Sequence, residues 1–145
     1  MSKLQRVFGR LLAGMLLVGI IPIVHAEIAV ITNPDVKEIG LSKEKLADIY
    51  LGRINTYSNG TRIEPVDQTA DSAVHNKFYQ AVVGMSNSEV NRYWSKLRFS
   101  GKGTPPRVIA GDESVRGWVA SHPGAIGYID GKYLDSSVKV VLIIP

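Results

Sequence analysis

A short polar loop, residues 67–72, has the side chains and the position expected of an anion-binding site. Gln68, Thr69, Asp71 and Ser72 place amide, hydroxyl and carboxylate groups close together. The loop leads into a helix, whose first N–H groups have no partner within the helix and carry the positive end of its dipole. This arrangement predicts that a small anion binds at the loop. The alternative is that Ser72 only caps its helix and that water occupies the loop.

The elements on either side of the loop are predicted from their apolar patterns. Ile63, Pro65 and Val66 indicate a short buried strand before the loop. After Ser72, apolar residues recur at i, i+4, i+7, i+8 and i+11, which is the spacing of one helical face. The residues of that face are Val74, Phe78, Ala81, Val82 and Met85.

Catalytic and metal-binding arrangements are not expected in this chain. His75 lies one turn beyond Ser72, but a Ser–His pair needs a third group that orients the histidine, and an oxyanion hole. The spacing supplies neither of them, and the acidic residues are scattered along the chain. The chain has no cysteine and three histidines, one of them at position 25. We therefore predict no enzyme activity, no metal site and no cofactor.

The first 26 residues are predicted to be a cleaved signal peptide. Three basic residues precede an apolar run over residues 11–24, and Val24 and Ala26 place small side chains before the predicted cleavage point. The apolar run is too short to span a bilayer comfortably. Cleavage after Ala26 leaves a single domain, residues 27–145, which we expect to be periplasmic.

Removal of the leader changes the charge balance of the protein. The chain has 17 basic and 13 acidic residues, and three of the basic ones precede position 27. The predicted domain is therefore almost neutral, and its sequence shows no basic stripe typical of proteins that bind nucleic acid. Without cysteine the domain must depend on an apolar core, which a chain of this length can build.

The remainder of the domain is predicted to alternate strands with helices. Further strands are expected at residues 27–32, 107–110, 125–130 and 137–144, the last of them buried on both faces. Further helices are expected to begin after caps at Ser42, Ser86 and Asp112, and glycines at positions 52 and 84 are expected to end helices. This alternation is typical of an α/β domain with helices packed on a sheet.

Four fragments carry a family resemblance. They are Leu46–Gly52 (LADIYLG), Ile63–Val66 (IEPV), Ser100–Gly103 (SGKG) and Pro123–Tyr128 (PGAIGY). In this order they resemble the substrate-binding subunit of phosphate ABC transporters, a type 2 periplasmic binding protein. The resemblance covers nearly the whole predicted domain. It implies a periplasmic-binding-protein-like α/β domain with a central mixed sheet and helices on both faces, and a phosphate held by backbone amides, hydroxyls, an arginine and an aspartate.

The chain departs from that family in length and in its loop. It is about half the usual length, which implies a single lobe that cannot close over a ligand alone. The family pattern R-x-D-G-S-G-T, set on residues 68–74, keeps only Ser72. Gln68 replaces the arginine, Val74 replaces the threonine, and Asp71 adds a negative charge beside the predicted anion. Losing a charge-assisted hydrogen bond costs about 1.5–3 kcal/mol. We therefore expect millimolar to high micromolar affinity, about 4–6 kcal/mol of binding free energy.

The sequence thus predicts a domain that binds phosphate or a similar oxyanion weakly, as an accessory to a membrane transporter or a sensor protein. The predicted ligand contacts are Gln68, Thr69, Asp71, Ser72, Lys102 and Thr104. Two alternatives stay open. The lobe is an interaction or regulatory module that has lost anion binding and offers its former cleft to a protein, or two copies pair as a homodimer that rebuilds a cleft.

Overall fold

A computed structural model describes residues 27–145, and the predicted signal peptide lies outside these residues. Strands and helices alternate along most of the chain, which confirms the predicted α/β class. The strands are β1 (Ile28–Thr32), β2 (Glu64–Asp67), β3 (Arg107–Val108), β4 (Ala125–Asp130) and β5 (Lys139–Ile144). The helices are α1 (Lys43–Tyr50), α2 (Ala73–Phe78), α3 (Asn87–Phe99) and α4 (Asp112–Ser121).

The five strands form one mixed sheet in the order β3-β2-β4-β1-β5. β1 runs antiparallel to both of its neighbours, β4 and β5, with Val30 opposite Tyr128. β2 runs parallel to β4 and to β3, with Val66 opposite Arg107. The prediction of a central mixed sheet is confirmed, and the parallel part of the sheet brings the carboxyl ends of β2 and β3 to one edge.

Helices cover both faces of the sheet, as predicted. On one face, side chains of α1, α2 and α3, among them Leu46, Phe78 and Trp94, pack in a single core cluster. On the other face, Val115 and Val119 of α4 are fully buried against the sheet. Gly127 permits this close approach, because a Cβ atom there would lie 3.0 Å from Val115 Cγ1.

The helix boundaries follow from local capping, and most match their predictions. The side chains of Ser42, Ser72 and Ser86 each accept a hydrogen bond from a main-chain N–H in the first turn of the following helix. Ser86 and Glu89 form the complete capping box. Gly84 ends its helix with a φ of 71°, in the left-handed region that favours glycine.

The predicted inner face of the central helix is wrong in part. α2 continues as a π-helical turn over Tyr79–Val83, and the wider turn changes which side chains face the core. His75, Phe78 and Tyr79 are buried, whereas Ala81 is exposed.

Two further predictions are wrong. Gly111, not Asp112, is the N-cap of α4, because the Asp112 carboxylate is used elsewhere and accepts a hydrogen bond from the Asp130 N–H at 2.9 Å. β5 is not buried on both faces. It is an edge strand, and Val140 and Ile143 are 37% and 42% exposed.

Candidate functional site

The predicted anion loop lies where β2 and β3 end. These strands end at the paired residues Asp67 and Val108, and the loop after β2 leads directly into α2. Open α/β sheets bind ligands at this edge. A cavity of about 260 Å³ opens here between α3 and the chain around β3, and we call it the strand-end cavity. Its polar lining residues are Asp67, Gln68, His75, Asn87, Asn91, Ser95 and Arg98.

Gln68 is buried, and its amide is engaged inside the protein. Nε2 donates hydrogen bonds to Asp112 Oδ1 at 2.9 Å and to the Tyr128 carbonyl at 3.0 Å. The main-chain N–H of Gln68 donates to Asp67 Oδ1 at 2.8 Å. Gln68 therefore ties the loop to α4 and β4, and its role as an anion ligand stays a prediction.

Ser72 caps α2, as predicted. Its Oγ accepts a hydrogen bond from the His75 N–H at 3.3 Å and donates one to Gln68 Oε1 at 3.4 Å. Its own main-chain N–H donates to the Thr69 carbonyl at 2.9 Å. The loop is therefore closed by its own hydrogen bonds. Asp71 is exposed to solvent beside it, and Thr69 is half-buried.

The centre of this region is Asp67, which is absent from the predicted contacts. Its carboxylate is 7% exposed and accepts hydrogen bonds from Tyr79 Oη at 2.6 Å and from Tyr128 Oη. Burial raises the pKa of both tyrosines, and the negative charge of Asp67 raises it further. Both hydroxyls therefore keep their protons and stabilise the buried carboxylate as donors. An aspartate at the end of a buried strand is the signal in the sequence that could have indicated it.

His75 lies beside this carboxylate. Its Nε2 is 3.7 Å from Asp67 Oδ1, and its ring packs on Tyr79 with 4.5 Å between the ring centroids. His75 Nδ1 is buried without a hydrogen-bond partner among residues 27–145. Ser72 Oγ accepts its hydrogen bond from the main-chain N–H of His75 and not from the imidazole ring. The two side chains therefore do not form a Ser–His pair in the described chain.

Lys102 and Thr104 line a different cavity. It has a volume of about 580 Å³ and lies at the other end of the parallel strands, where residues 62–65 enter β2 and residues 105–107 enter β3. Trp94 lines both cavities. Of the six predicted contacts, Gln68 lines the strand-end cavity and Lys102 and Thr104 line the larger one. The structure does not bring the six residues together.

The strand-end cavity gains its cation from α3 instead. Arg98 is exposed at the end of the helix, and it follows Asn87, Asn91 and Ser95 at i, i+4, i+8 and i+11, so the four residues share one helical face. Trp94, which is buried between the two cavities, has an indole Nε1 without a hydrogen-bond partner in the described chain. The helical spacing of the polar residues is the signal that could have indicated this wall.

Residues 27–145 contain neither a metal-binding cluster nor a membrane-spanning helix. No three histidine, aspartate or glutamate side chains of this part lie close enough together to hold a metal ion. None of its helices has the length and apolar character needed to cross a membrane.

Solved structures share this fold. A phosphate-bound ABC transporter substrate-binding protein from Clostridium perfringens matches with a TM-score of 0.66, 24% identity, and coverage of 80% of this chain and 45% of its own. A phosphate transport receptor from Vibrio cholerae matches with a TM-score of 0.64, 20% identity, and coverage of 80% and 46%. PstS from Borrelia burgdorferi matches with a TM-score of 0.60, 17% identity, and coverage of 80% and 47%. The chain has a periplasmic-binding-protein-like fold.

This likeness confirms the fold that the four sequence fragments imply. The chain spans a little less than half the length of these solved structures, as expected of a single lobe. No protein-family model matches the sequence, and no curated protein matches it. At these identities the likeness concerns the fold, and the ligand of this chain has to be argued from its own residues.

Proposed function

We propose that the domain binds phosphate or a similar small oxyanion weakly in the strand-end cavity, as an accessory to transport or sensing outside the cytoplasm. The observation that carries the proposal is the position of this cavity. It opens where β2 and β3 end, beside the start of α2, in a fold shared with a protein whose structure contains phosphate.

The contacts that would hold the anion come mainly from α3. Arg98 supplies a positive charge, and Asn91 and Ser95 supply an amide and a hydroxyl on the same wall. Gln68 and Ser72 are already engaged in internal hydrogen bonds, and Asp67 brings a negative charge to the floor. In this cavity, Arg98 attracts an anion and the buried carboxylate of Asp67 repels it. Because the two effects oppose each other, we expect the anion to bind weakly.

The test is the thermal stability of the domain as a function of phosphate concentration, beside sodium chloride of matched ionic strength. Ligand at tenfold excess over the dissociation constant stabilises the folded state by about 1.4 kcal/mol. Arg98→Gln should abolish this gain, and Ser95→Ala, which removes the hydroxyl on the same wall, should reduce it. Lys102→Ala serves as a control in the other cavity and should leave the gain intact.

Two results would contradict the proposal. One is the absence of any phosphate-specific stabilisation at tens of millimolar. The other is a gain that Arg98→Gln leaves unchanged, because the anion would then bind elsewhere.

The location outside the cytoplasm is part of the same proposal. The full chain, expressed in a bacterium with a C-terminal tag, should reach the periplasmic fraction with Glu27 as its first residue. Mass spectrometry of the intact protein measures this directly. A product in the cytoplasm that retains the first 26 residues would contradict it.

A further inference from the structure

Positive charge is concentrated in one part of the described chain. Residues 85–110 contain five basic residues and one acidic residue, whereas the other residues from 27 to 145 contain nine basic and twelve acidic ones. The near-neutral total therefore hides a segregation of charge, and the positive part coincides with α3 and the loop after it.

Three members of this segment form a stripe on the solvent side of α3. Arg92, Lys96 and Phe99 are spaced at i, i+4 and i+7, and all three are exposed. The opposite side of the helix packs on the core through Val90 and Trp94. Lys102 follows in the loop and is also exposed. We call Arg92, Lys96, Phe99 and Lys102 the basic face.

The cations of the basic face have no carboxylate partner. Within residues 27–145, no ion pair or side-chain hydrogen bond engages Arg92, Lys96 or Lys102, although Arg53 and Arg116 elsewhere each contact a carboxylate within 3.3 Å. The one acidic residue of α3, Glu89, accepts a hydrogen bond from the Ser86 N–H in the capping box. The cations of this face therefore have no ion-pair partner in the described chain, and they remain available to one on another molecule.

Phe99 is the most exposed large apolar residue in the described chain, at 98%. The negative end of the helix dipole accounts for a lysine in the last turn, but it does not account for a phenylalanine that packs on nothing. Aromatic side chains are enriched in protein–protein interfaces, where a ring fills a pocket in the partner. Phe99 projects from the end of a helix, between two lysines, in the position of such an anchor.

We infer that the basic face docks a protein partner that presents carboxylates around an apolar depression, and that Phe99 fills the depression. Charge complementarity selects the partner and accelerates the encounter. One projecting ring at a helix end suits a pocket in a protein, whereas a membrane-surface helix needs a broad apolar face. This inference does not rest on the proposed oxyanion site, because Arg98 and Ser95 lie on the neighbouring face of α3.

The experiment uses a fluorescein-labelled nonapeptide with four glutamates on each side of a central leucine. A second peptide has alanine at the centre. Fluorescence anisotropy with the full mature domain should give tighter binding of the leucine peptide, and added salt should weaken the binding of both. Phe99→Ser should remove the difference between the two peptides. In this double-mutant cycle, only the contact between Phe99 and the leucine is measured.

Two triple variants distinguish binding of the peptide at the basic face from attraction by the net charge of the whole domain. Reversal of the basic face by Arg92→Glu, Lys96→Glu and Lys102→Glu should weaken binding of the leucine peptide by at least about tenfold, equivalent to about 1.4 kcal/mol. The matched control is Lys37→Glu, Lys43→Glu and Lys132→Glu, three exposed lysines away from α3. It should change affinity less than about twofold. Both variants should keep the cooperative thermal unfolding transition of the unchanged domain, which shows that they fold.

Several outcomes would overturn the inference. Equal weakening by both triple variants would mean that net charge alone attracts the peptide. Equal affinity for an oligothymidine of the same length, independent of Phe99, would mean that any polyanion binds. Binding to phosphatidylglycerol vesicles that depends on Phe99, with no binding of the peptides, would assign the face to a membrane. No binding of either peptide at low salt would end the proposal.

Discussion

The region around Asp67 and the basic face of α3 differ in how their polar groups are satisfied. Around Asp67, a carboxylate, two tyrosine hydroxyls and the N–H of Gln68 bind one another inside the protein. On the basic face, three cations and the ring of Phe99 are exposed to solvent, without partners in the part of the chain that the structure describes. The first region matches the position of the predicted anion loop, and the second shares only Lys102 with the predicted ligand contacts.

This difference separates groups that stabilise the fold from groups that remain available to a partner. A buried polar group costs about 1–3 kcal/mol when it loses its hydrogen-bond partner, so a closed buried network contributes to stability first. An exposed cation gains little from an ion pair and costs little to leave free. Substitutions in the Asp67 region should therefore change the free energy of unfolding, while substitutions on the basic face should change binding alone.

The largest contrast is expected from Phe78→Ala, in the Asp67 region. The Phe78 ring is fully buried and stacks on Tyr128 with 3.8 Å between the ring centroids. Removing the ring leaves a cavity, and we expect a loss of about 3–5 kcal/mol in the free energy of unfolding. Urea denaturation measures it. A loss below about 1 kcal/mol would mean that the core under the loop is loosely packed.

The next effect tests the hydrogen bond from Tyr79 to Asp67. Tyr79→Phe removes a donor to a buried carboxylate, and we expect a loss of about 1.5–3 kcal/mol in the free energy of unfolding. The matched control is Tyr93→Phe, because Tyr93 Oη donates to the neutral Leu51 carbonyl at 2.6 Å and should cost about 1 kcal/mol. Equal losses in the two variants would contradict a charged acceptor at Asp67.

A smaller effect is expected from Glu38, which lies apart from both regions. The hydrogen bond from Lys45, with others from Ser58, lowers the pKa of Glu38 from an ordinary 4.5 to about 2. Because the folded pKa is lowered, this contribution is complete above about pH 4.5 and is lost as the pH falls towards 2. In Glu38→Gln, the free energy of unfolding should therefore depend less on pH between about 2 and 4.5, and the difference from the unchanged protein should be less than about 1 kcal/mol. Urea denaturation at a series of pH values measures this. If the free energy of unfolding of the variant falls with acid as steeply as before, other carboxyl groups cause the acid sensitivity.

The smallest effect is expected from Phe99→Ala, the counterpart of Phe78→Ala on the basic face. Because the ring is exposed, the free energy of unfolding should change by no more than about 0.5 kcal/mol. Thermal and urea denaturation of both alanine variants, measured side by side, check this. A loss comparable with that of Phe78→Ala would show that Phe99 packs within the domain, and the contrast between the two regions would fail.

Much of the fold could be predicted because its signals are local. Ser72 and Ser86 cap their helices because a serine hydroxyl reaches the N–H two or three residues further on, whatever the rest of the chain does. Gly84 ends a helix because a left-handed residue favours glycine. The alternation of strands and helices, and the four fragments that resemble phosphate-binding subunits, were sufficient for the α/β class, the mixed sheet and the helices on both of its faces.

The predicted site was less accurate because its contacts are distant in sequence. Tyr128 reaches Asp67 across 61 residues and Gln68 reaches Asp112 across 44, and no local pattern indicates such pairs. The same limit explains β5. Its apolar sequence is typical of a central strand, but only the order of strands in the sheet puts it at an edge.

The sequence by itself determined where most helices begin and end, which segments are strands, and that the chain carries little net charge beyond its predicted leader. These properties depend on hydrogen bonds within a few residues, on side-chain periodicity and on composition. The tertiary structure alone decided that the loop after β2 is closed by internal hydrogen bonds, that Lys102 faces a different cavity from Gln68, and that β5 lies at the edge of the sheet. Each of these depends on contacts between distant segments, which form only when the sheet and its helices pack together.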